Sequence, residues 1–174
     1  MTTALVTGAT GFLGGHLVQH LLDRDYRVRA LYRSESSLAN LTGLDIQTCR
    51  GDVTDPASLA SALQGQVDLV FHVAASTASW RPHFAQQQKI NVDGTRNVVQ
   101  ACLKAGVRRL VHTSSVAVYG LTDEVIDERS PQLGLESWIS YARTKAQAEV
   151  EVQAGIRAGL DAVICNPTHI LGPG

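Results

Sequence analysis

Apolar and polar positions alternate along this chain between two textures. Short runs rich in β-branched and aliphatic residues read as strands: "TALVT" (3–7), "VRALY" (28–32), "IQTC" (46–49), "DLVFHV" (68–73), "RLVHT" (109–113) and "AVICN" (162–166). Their largely continuous apolar character suits a parallel sheet covered on both faces. Between them lie helical patterns near 12–23, 56–63, 86–105 and 138–158. "TDPAS" (54–58) offers a start for the second, with Thr54 or Asp55 capping ahead of Pro56, and Gly106 is placed to stop the third. Strand and helix repeated in this order predict one α/β domain over 1–174, a doubly wound parallel sheet. The longest irregular piece, "YGLTDEVIDERSPQLGLES" (119–137), is of a length that in compact domains is more often functional than idle.

Composition narrows the setting. The 174 residues are 44% hydrophobic and 18% charged, with a formal net charge of -1, which describes an ordinary globular domain. There is no broad basic field for nucleic acid and no acidic tail. No apolar run approaches the ~18 residues of a membrane span, and "MTTALVTGAT" lacks the pattern of a secretory signal. Cys49, Cys102 and Cys165 are odd in number and far apart, so buried thiols in a reducing cytoplasm are expected rather than disulfides or zinc. His16 and His20, at i, i+4, lack a third ligand, and no metal is expected. His72 and His112, inside strands, are expected to be satisfied core histidines.

The first candidate chemistry is "LVTGATGFLGGHLV" (5–18), between the first strand and the first helix. Gly8, Gly11 and Gly14 have the spacing in which one glycine makes a tight turn, one admits a pyrophosphate and one lets helix pack on strand. The helix N-terminus then offers free N–H groups to the phosphates. The second strand ends at Tyr32 and Arg33, where an acid would select NAD, so Arg33 points to the 2′-phosphate of NADP. A second candidate is "YARTK" (141–145), since Tyr141 and Lys145 share a helix face.

Taken with "GDVTD" (51–55), "VFHVAA" (70–75), "NVDGTRN" (91–97), "TSSVAVYG" (113–120) and "NPTHILGPG" (166–174), these stretches resemble the extended short-chain dehydrogenase/reductases, the NAD-dependent epimerase/dehydratase family. "FHVAAS" (71–76) and "RALYRS" (29–34) look most like its dihydroflavonol reductase and hydroxysteroid dehydrogenase branch. The resemblance implies a Rossmann-type fold, with Thr10, Phe12 and Leu13 joining the three glycines at the cofactor. It implies that Asp52 and Val53 meet the adenine, and that Ala74, Ala75 and Ser76 line the cofactor. Pro167, Thr168, His169 and Ile170 would run beside the nicotinamide. Ser115, Tyr141 and Lys145 match the catalytic set, with Asn91 near them and Ser114 as rival to Ser115. Lys145 would also hold the nicotinamide ribose.

The resemblance further implies an oxidoreductase moving hydride between NADP, or NAD, and an alcohol or carbonyl carbon of a small molecule. Two alternatives stand beside it: a nucleotide-sugar epimerase or dehydratase with bound NAD, and a non-catalytic NADP sensor. Homodimers of the family pair two long helices, here near 86–105 and 138–158. Family members continue for a substrate domain, so this chain is expected to be the N-terminal fragment of a longer enzyme. Trp80 and Trp138 are candidates for walling an apolar substrate pocket.

Overall fold

The computed structural model describes residues 1–77 and 84–173; Trp80 lies outside them. Six strands run parallel: β1 (Thr3–Thr7), β2 (Arg27–Tyr32), β3 (Gln47–Arg50), β4 (Leu69–His72), β5 (Arg109–Thr113) and β6 (Ala162–Cys165). They form one sheet in the order β3-β2-β1-β4-β5-β6. Among the described residues five α-helices accompany them: α1 (Phe12–Leu22), α2 (Pro56–Ala62), α3 (Phe84–Gln87), α4 (Gly94–Ala105) and α5 (Ser140–Arg157). The doubly wound parallel sheet expected from the alternating pattern is present. Its reversal of winding falls between β1 and β4, the place where such sheets open a crevice beyond the strand ends.

Side-chain alternation splits the core in two. Leu5 of β1 joins Val70 and Leu110 under Leu59 of α2, Val98 and Val99 of α4, and Val152 of α5. Ala4 and Val6, one residue either side of Leu5, join Val28 and Ala30 under Val18 and Leu21 of α1. All five residues of β1 are buried, which is why its run carries no polar alternation.

Local signals behave as their chemistry requires. Asp55 caps α2, its Oδ1 accepting the Ala57 N–H at 3.0 Å, and Pro56 fills the first turn. Arg96 joins α4 to α5 through both carboxylate oxygens of Glu151, at 3.1 and 2.8 Å, while also meeting Asp93 at 2.8 Å.

Three expectations need correction. The helix foreseen over 86–105 is not uniform: a π-helical segment, Gln88–Asp93, lies between α3 and α4. Its Asn91 carbonyl accepts the Thr95 hydroxyl at 2.6 Å, a side-chain bond that periodicity does not reveal. Short 3-10 turns occupy Glu35–Leu41, Val116–Tyr119 and Leu133–Glu136, two of them within or beside the long irregular stretch. Only Cys102 is a buried thiol, pushed up to about 12 by burial; Cys49 is half-buried, and Cys165 is exposed on the edge strand.

Candidate active site

A cavity of about 1000 Å³ lies across the C-terminal ends of the strands, lined by the ends of β2 and β5 and by the segments that follow the six strands. After β1, Gly8 turns the chain at φ +72, and a Cβ there would stand 2.7 Å from the Ala74 backbone nitrogen. A Cβ on Gly14 would stand 2.0 Å from the Gly8 carbonyl oxygen, so α1 packs this tightly on the turn only with hydrogen in that place. Gly11 opens α1 without a side-chain cap, leaving the first N–H groups of the helix without internal acceptors. Thr10, Gly11, Phe12, Leu13 and Gly14 all line the cavity. A cradle of bare backbone at a helix N-terminus fits a pyrophosphate.

Arg33 and Asp52 stand at the ends of β2 and β3, their charged atoms 3.9 Å apart. Asp52 Oδ1 is held by the backbone N–H and hydroxyl of Thr54, at 2.8 and 2.9 Å. Arg33 remains 66% exposed at the cavity rim, and Val53 lines the cavity beside Asp52.

The stretch after β4, Ala74, Ala75 and Ser76, is tied in place from behind. Ser76 donates its N–H to Asn91 Oδ1 at 2.7 Å and accepts from Asn91 Nδ2 at 3.1 Å. The same Nδ2 donates to Thr144 Oγ1 at 3.1 Å, and that hydroxyl donates to the Tyr141 carbonyl at 3.1 Å. Asn91 is 1% exposed and does not line the cavity. It sits behind the wall, its side chain spent on both Ser76 and α5.

His72 extends this network. Its Nε2 lies 3.0 Å from Thr95 Oγ1, whose hydrogen goes to the Asn91 carbonyl, so Nε2 must be the donor. Its Nδ1 therefore accepts from Thr7 Oγ1 at 2.7 Å, and Thr7 Oγ1 accepts the Ala74 N–H at 3.3 Å. Burial, and then the charge of Lys145, push His72 down to about 3, so it is neutral. His112 faces it across the β4–β5 register with ring centroids 5.2 Å apart. The expectation of a satisfied core histidine holds for His72 and fails for His112, neither of whose nitrogens has a hydrogen-bond partner among the described residues. Burial foremost holds His112 well below the ordinary histidine range.

The remaining wall comes from β5, α5 and the segment after β6. Ser115 starts the Val116–Tyr119 turn, its Oγ accepting the Ala117 N–H at 3.2 Å, which leaves its own hydrogen to donate. Ser114 also lines the cavity, 3% exposed, its Oγ without a partner among the described residues. Tyr141 and Lys145 reach the cavity from consecutive turns of α5. Lys145 is 3% exposed, and Nζ donates to the Thr113 carbonyl at 2.7 Å. Burial pushes it down to about 8, partly offset by Glu149. Pro167, Thr168 and Ile170 line the cavity. His169 is exposed and does not, and neither does Trp138, which is 78% exposed. Among the described residues no cluster suits a metal ion, and no helix is long and apolar enough to cross a membrane.

Sequence reasoning missed Thr7, Thr95, Thr144, Glu149 and Asn166, which orient the site from outside it. One signal was available for Glu149: it continues the spacing of four that joins Tyr141 to Lys145.

The profile of the NAD dependent epimerase/dehydratase family matches residues 4–174. The chain belongs to this family. Among its relatives, "Sterol demethylase protein B" of Methylococcus capsulatus is 41% identical over 172 residues, 98% of this chain and 52% of that protein. "2-alkyl-3-oxoalkanoate reductase" of Stenotrophomonas maltophilia is 37% identical over 173 residues, 98% of this chain and 51% of that protein. Among solved structures, UDP-glucuronic acid 4-epimerase from Bacillus cereus in complex with NAD superposes with a TM-score of 0.85 at 26% identity, covering 99% of this chain and 58% of that one. This epimerase/dehydratase-family chain thus spans about half the length of the relatives it matches.

Proposed function

We propose that the cavity holds a nicotinamide dinucleotide, NADP in preference to NAD, and serves hydride transfer at an alcohol or carbonyl carbon of a small molecule. One observation carries this reading: a single cavity is lined by the glycine cradle and by Ser115, Tyr141 and Lys145. The reductase name of one relative supports carbonyl reduction as the direction.

Bound nicotinamide would supply or accept the hydride. The chain's own residues handle position and proton. Tyr141 Oη gives a proton to the substrate oxygen, or takes one from it. A cation one turn along the helix steadies the negative charge that develops on the phenol oxygen as its proton leaves. Lys145 is that cation, held toward the strand ends by the Thr113 carbonyl. Ser115 donates its free hydroxyl hydrogen to the substrate oxygen and orients it. Phe12, Val73, Ile90 and Ile170 give the cavity apolar walls that help to exclude water.

Cofactor choice rests on Arg33, exposed at the rim where a 2′-phosphate would sit. The same Ser–Tyr–Lys set would serve an epimerase with bound NAD, and Arg33 in place of an acid speaks against that alternative. Titration of the chain with NADPH and NADH should give tighter binding of NADPH. Arg33→Ala should weaken NADPH by about 1–3 kcal/mol and leave NADH nearly unchanged. Equal affinities for the two in the unaltered chain overturn the preference.

A further inference from the structure

Glu149 is the buried carboxylate among the described residues, and the chemistry above does not use it. It is 3% exposed on α5, one turn beyond Lys145. Burying a carboxylate costs several kcal/mol unless hydrogen bonds and a counter-charge offset it. Its hydrogen bonds come from neutral amides: Oε2 accepts from Gln132 Nε2, and Oε1 accepts from Asn166 Nδ2 at 2.6 Å. Those amides satisfy its lone pairs without cancelling its charge. Among the described residues it makes no ion pair, and neither does Lys145. Two opposite buried charges therefore sit on successive turns of one helix, each bonded to neutral groups and coupled through space.

The amides lead to the reacting side chains. Asn166 Nδ2 also donates to the Ser115 carbonyl at 3.2 Å. Around it Ser114 N–H donates to the Cys165 carbonyl at 2.7 Å, and Val116 N–H to the Pro167 carbonyl at 3.0 Å. Gln132 belongs to the long loop, where Gly134 packs against the backbone of Val118 in the Ser115 turn. One carboxylate thus joins α5 to the serine turn, to the segment after β6 and to the loop.

We infer that Glu149 is a positioning residue, whose buried carboxylate is the counter-charge to Lys145 one turn away and whose two amide partners fix the Ser115 turn against α5. Lys145 needs the help. It is faced by His72 from β4 and His112 from β5, both neutral, and shares its helix face with the Tyr141 hydroxyl, so the carboxylate acting on it is Glu149. Asp127 and Glu128, from the long loop, act with Glu149 on Tyr119 and not on Lys145. Burial alone would release the proton well below the ordinary lysine range.

This rests on the reading of Ser115, Tyr141 and Lys145 as the reacting set, but its test needs no turnover. The chain has three lysines, Lys89, Lys104 and Lys145, so ¹³C-lysine NMR resolves each, and Lys145→Met assigns the third. In the unaltered chain Lys145 should titrate below the other two. Glu149→Gln should lower that titration by about one pH unit, the lower end for losing a nearby opposite charge. Glu149→Asp should restore most of it, because the charge returns while the contacts shorten. Gln132→Ala, at an exposed position, should leave it where it was. Should Glu149→Gln fail to fold, Gln132→Arg decides, since it brings a cation to Glu149 from the exposed loop and should lower the Lys145 titration. A Lys145 titration unmoved by Glu149→Gln, or by Gln132→Arg if that variant must decide, overturns the inference. So does an equal shift in Gln132→Ala. Absence of NADPH binding with the lysine shifts intact would instead count against the proposed function alone.

Discussion

On one side of the cavity, the ends of β1, β2 and β3 offer backbone, glycines and one exposed ion pair. On the other, β5, α5 and the segment after β6 offer hydroxyls and a buried lysine, with a buried carboxylate behind them. The first side is built by subtraction: Gly8 and Gly14 leave out atoms that would collide with Ala74 and with the turn itself. The second is built by compensation, since Lys145, Glu149 and Asn91 are each held by partners from another element. A wall made by subtraction keeps its shape whatever the pH. A wall made by compensation has proton affinities that its partners set, and substitutions there should separate chemistry from folding.

The sharpest separation should come from Tyr141→Phe, which removes one oxygen and leaves the ring to pack. With the enzyme's own substrate, turnover should fall by ~10²–10⁴, the range for losing an acid–base group. NADPH affinity, measured by fluorescence titration, should stay nearly unchanged because the opposite wall is intact. Near-normal turnover would remove Tyr141 from the chemistry and leave the second wall without a proton donor.

Lys145→Met should divide the two walls in another way, by strengthening the fold while weakening function. Lys145 is pushed down to about 8 in the folded chain, from 10.5 in the open one, chiefly by burial. The folded state therefore binds this proton less tightly than the unfolded state, so stability falls as pH drops from 10.5 toward 8 and stays low below that. Methionine removes this cost together with the bond to Thr113. The net gain should be about 2 kcal/mol at pH 7, shrinking toward zero or reversing above pH 10.5. Urea melts at pH 7 and pH 10.5 test the sign. NADPH affinity should fall in the same variant. A destabilised Lys145→Met at pH 7 would mean that this lysine is a structural strut after all.

How far each wall can be read from the sequence follows from the way it is built. Subtraction is local: Gly8, Gly11 and Gly14 stand at fixed spacing beside a strand and a helix, and Arg33 closes a strand of known length. The doubly wound class also follows, because β-branched runs alternating with helices leave few windings, while the strand order itself comes from the structure. Compensation is not local. Thr7, His72, Thr95 and Asn91 form one directed chain of hydrogen bonds across residues 7 to 95, and no spacing rule joins them. The π-helical segment that carries Asn91 reads as ordinary helix, since its departure from the helical ladder is a matter of backbone partners. His169 shows the opposite case: a place in the matching tail brought it into the candidate list, while the residue is exposed and stands outside the cavity lining.

The two histidines at the seam between the walls offer the finest test. His72 and His112 are register partners on β4 and β5, each 1% exposed and each neutral, yet one has partners on both nitrogens and the other has none among the described residues. His72→Leu leaves the Thr7 hydroxyl without an acceptor and takes a donor from Thr95, and should cost about 1–3 kcal/mol at pH 7. His112→Leu strands no hydrogen-bond partner and should change stability by less than about 1 kcal/mol. The pH dependence should be alike in the two variants. Both histidines bind a proton less tightly folded than unfolded, His72 being pushed down to about 3, so stability is complete above about 6.5 and lost as pH falls toward the folded value. Each contributes a slope of up to about 1.4 kcal/mol per pH unit in that window, and either variant should remove one such contribution between pH 6.5 and 5, above the range of most carboxylates. Urea melts at pH 7, 6 and 5 on the three proteins separate the two quantities, partner loss as an offset and proton exclusion as a slope. Equal offsets for the two variants would show that the His72 bonds add nothing to the fold. An unchanged slope in His112→Leu would show that this ring already takes up a proton within the folded chain.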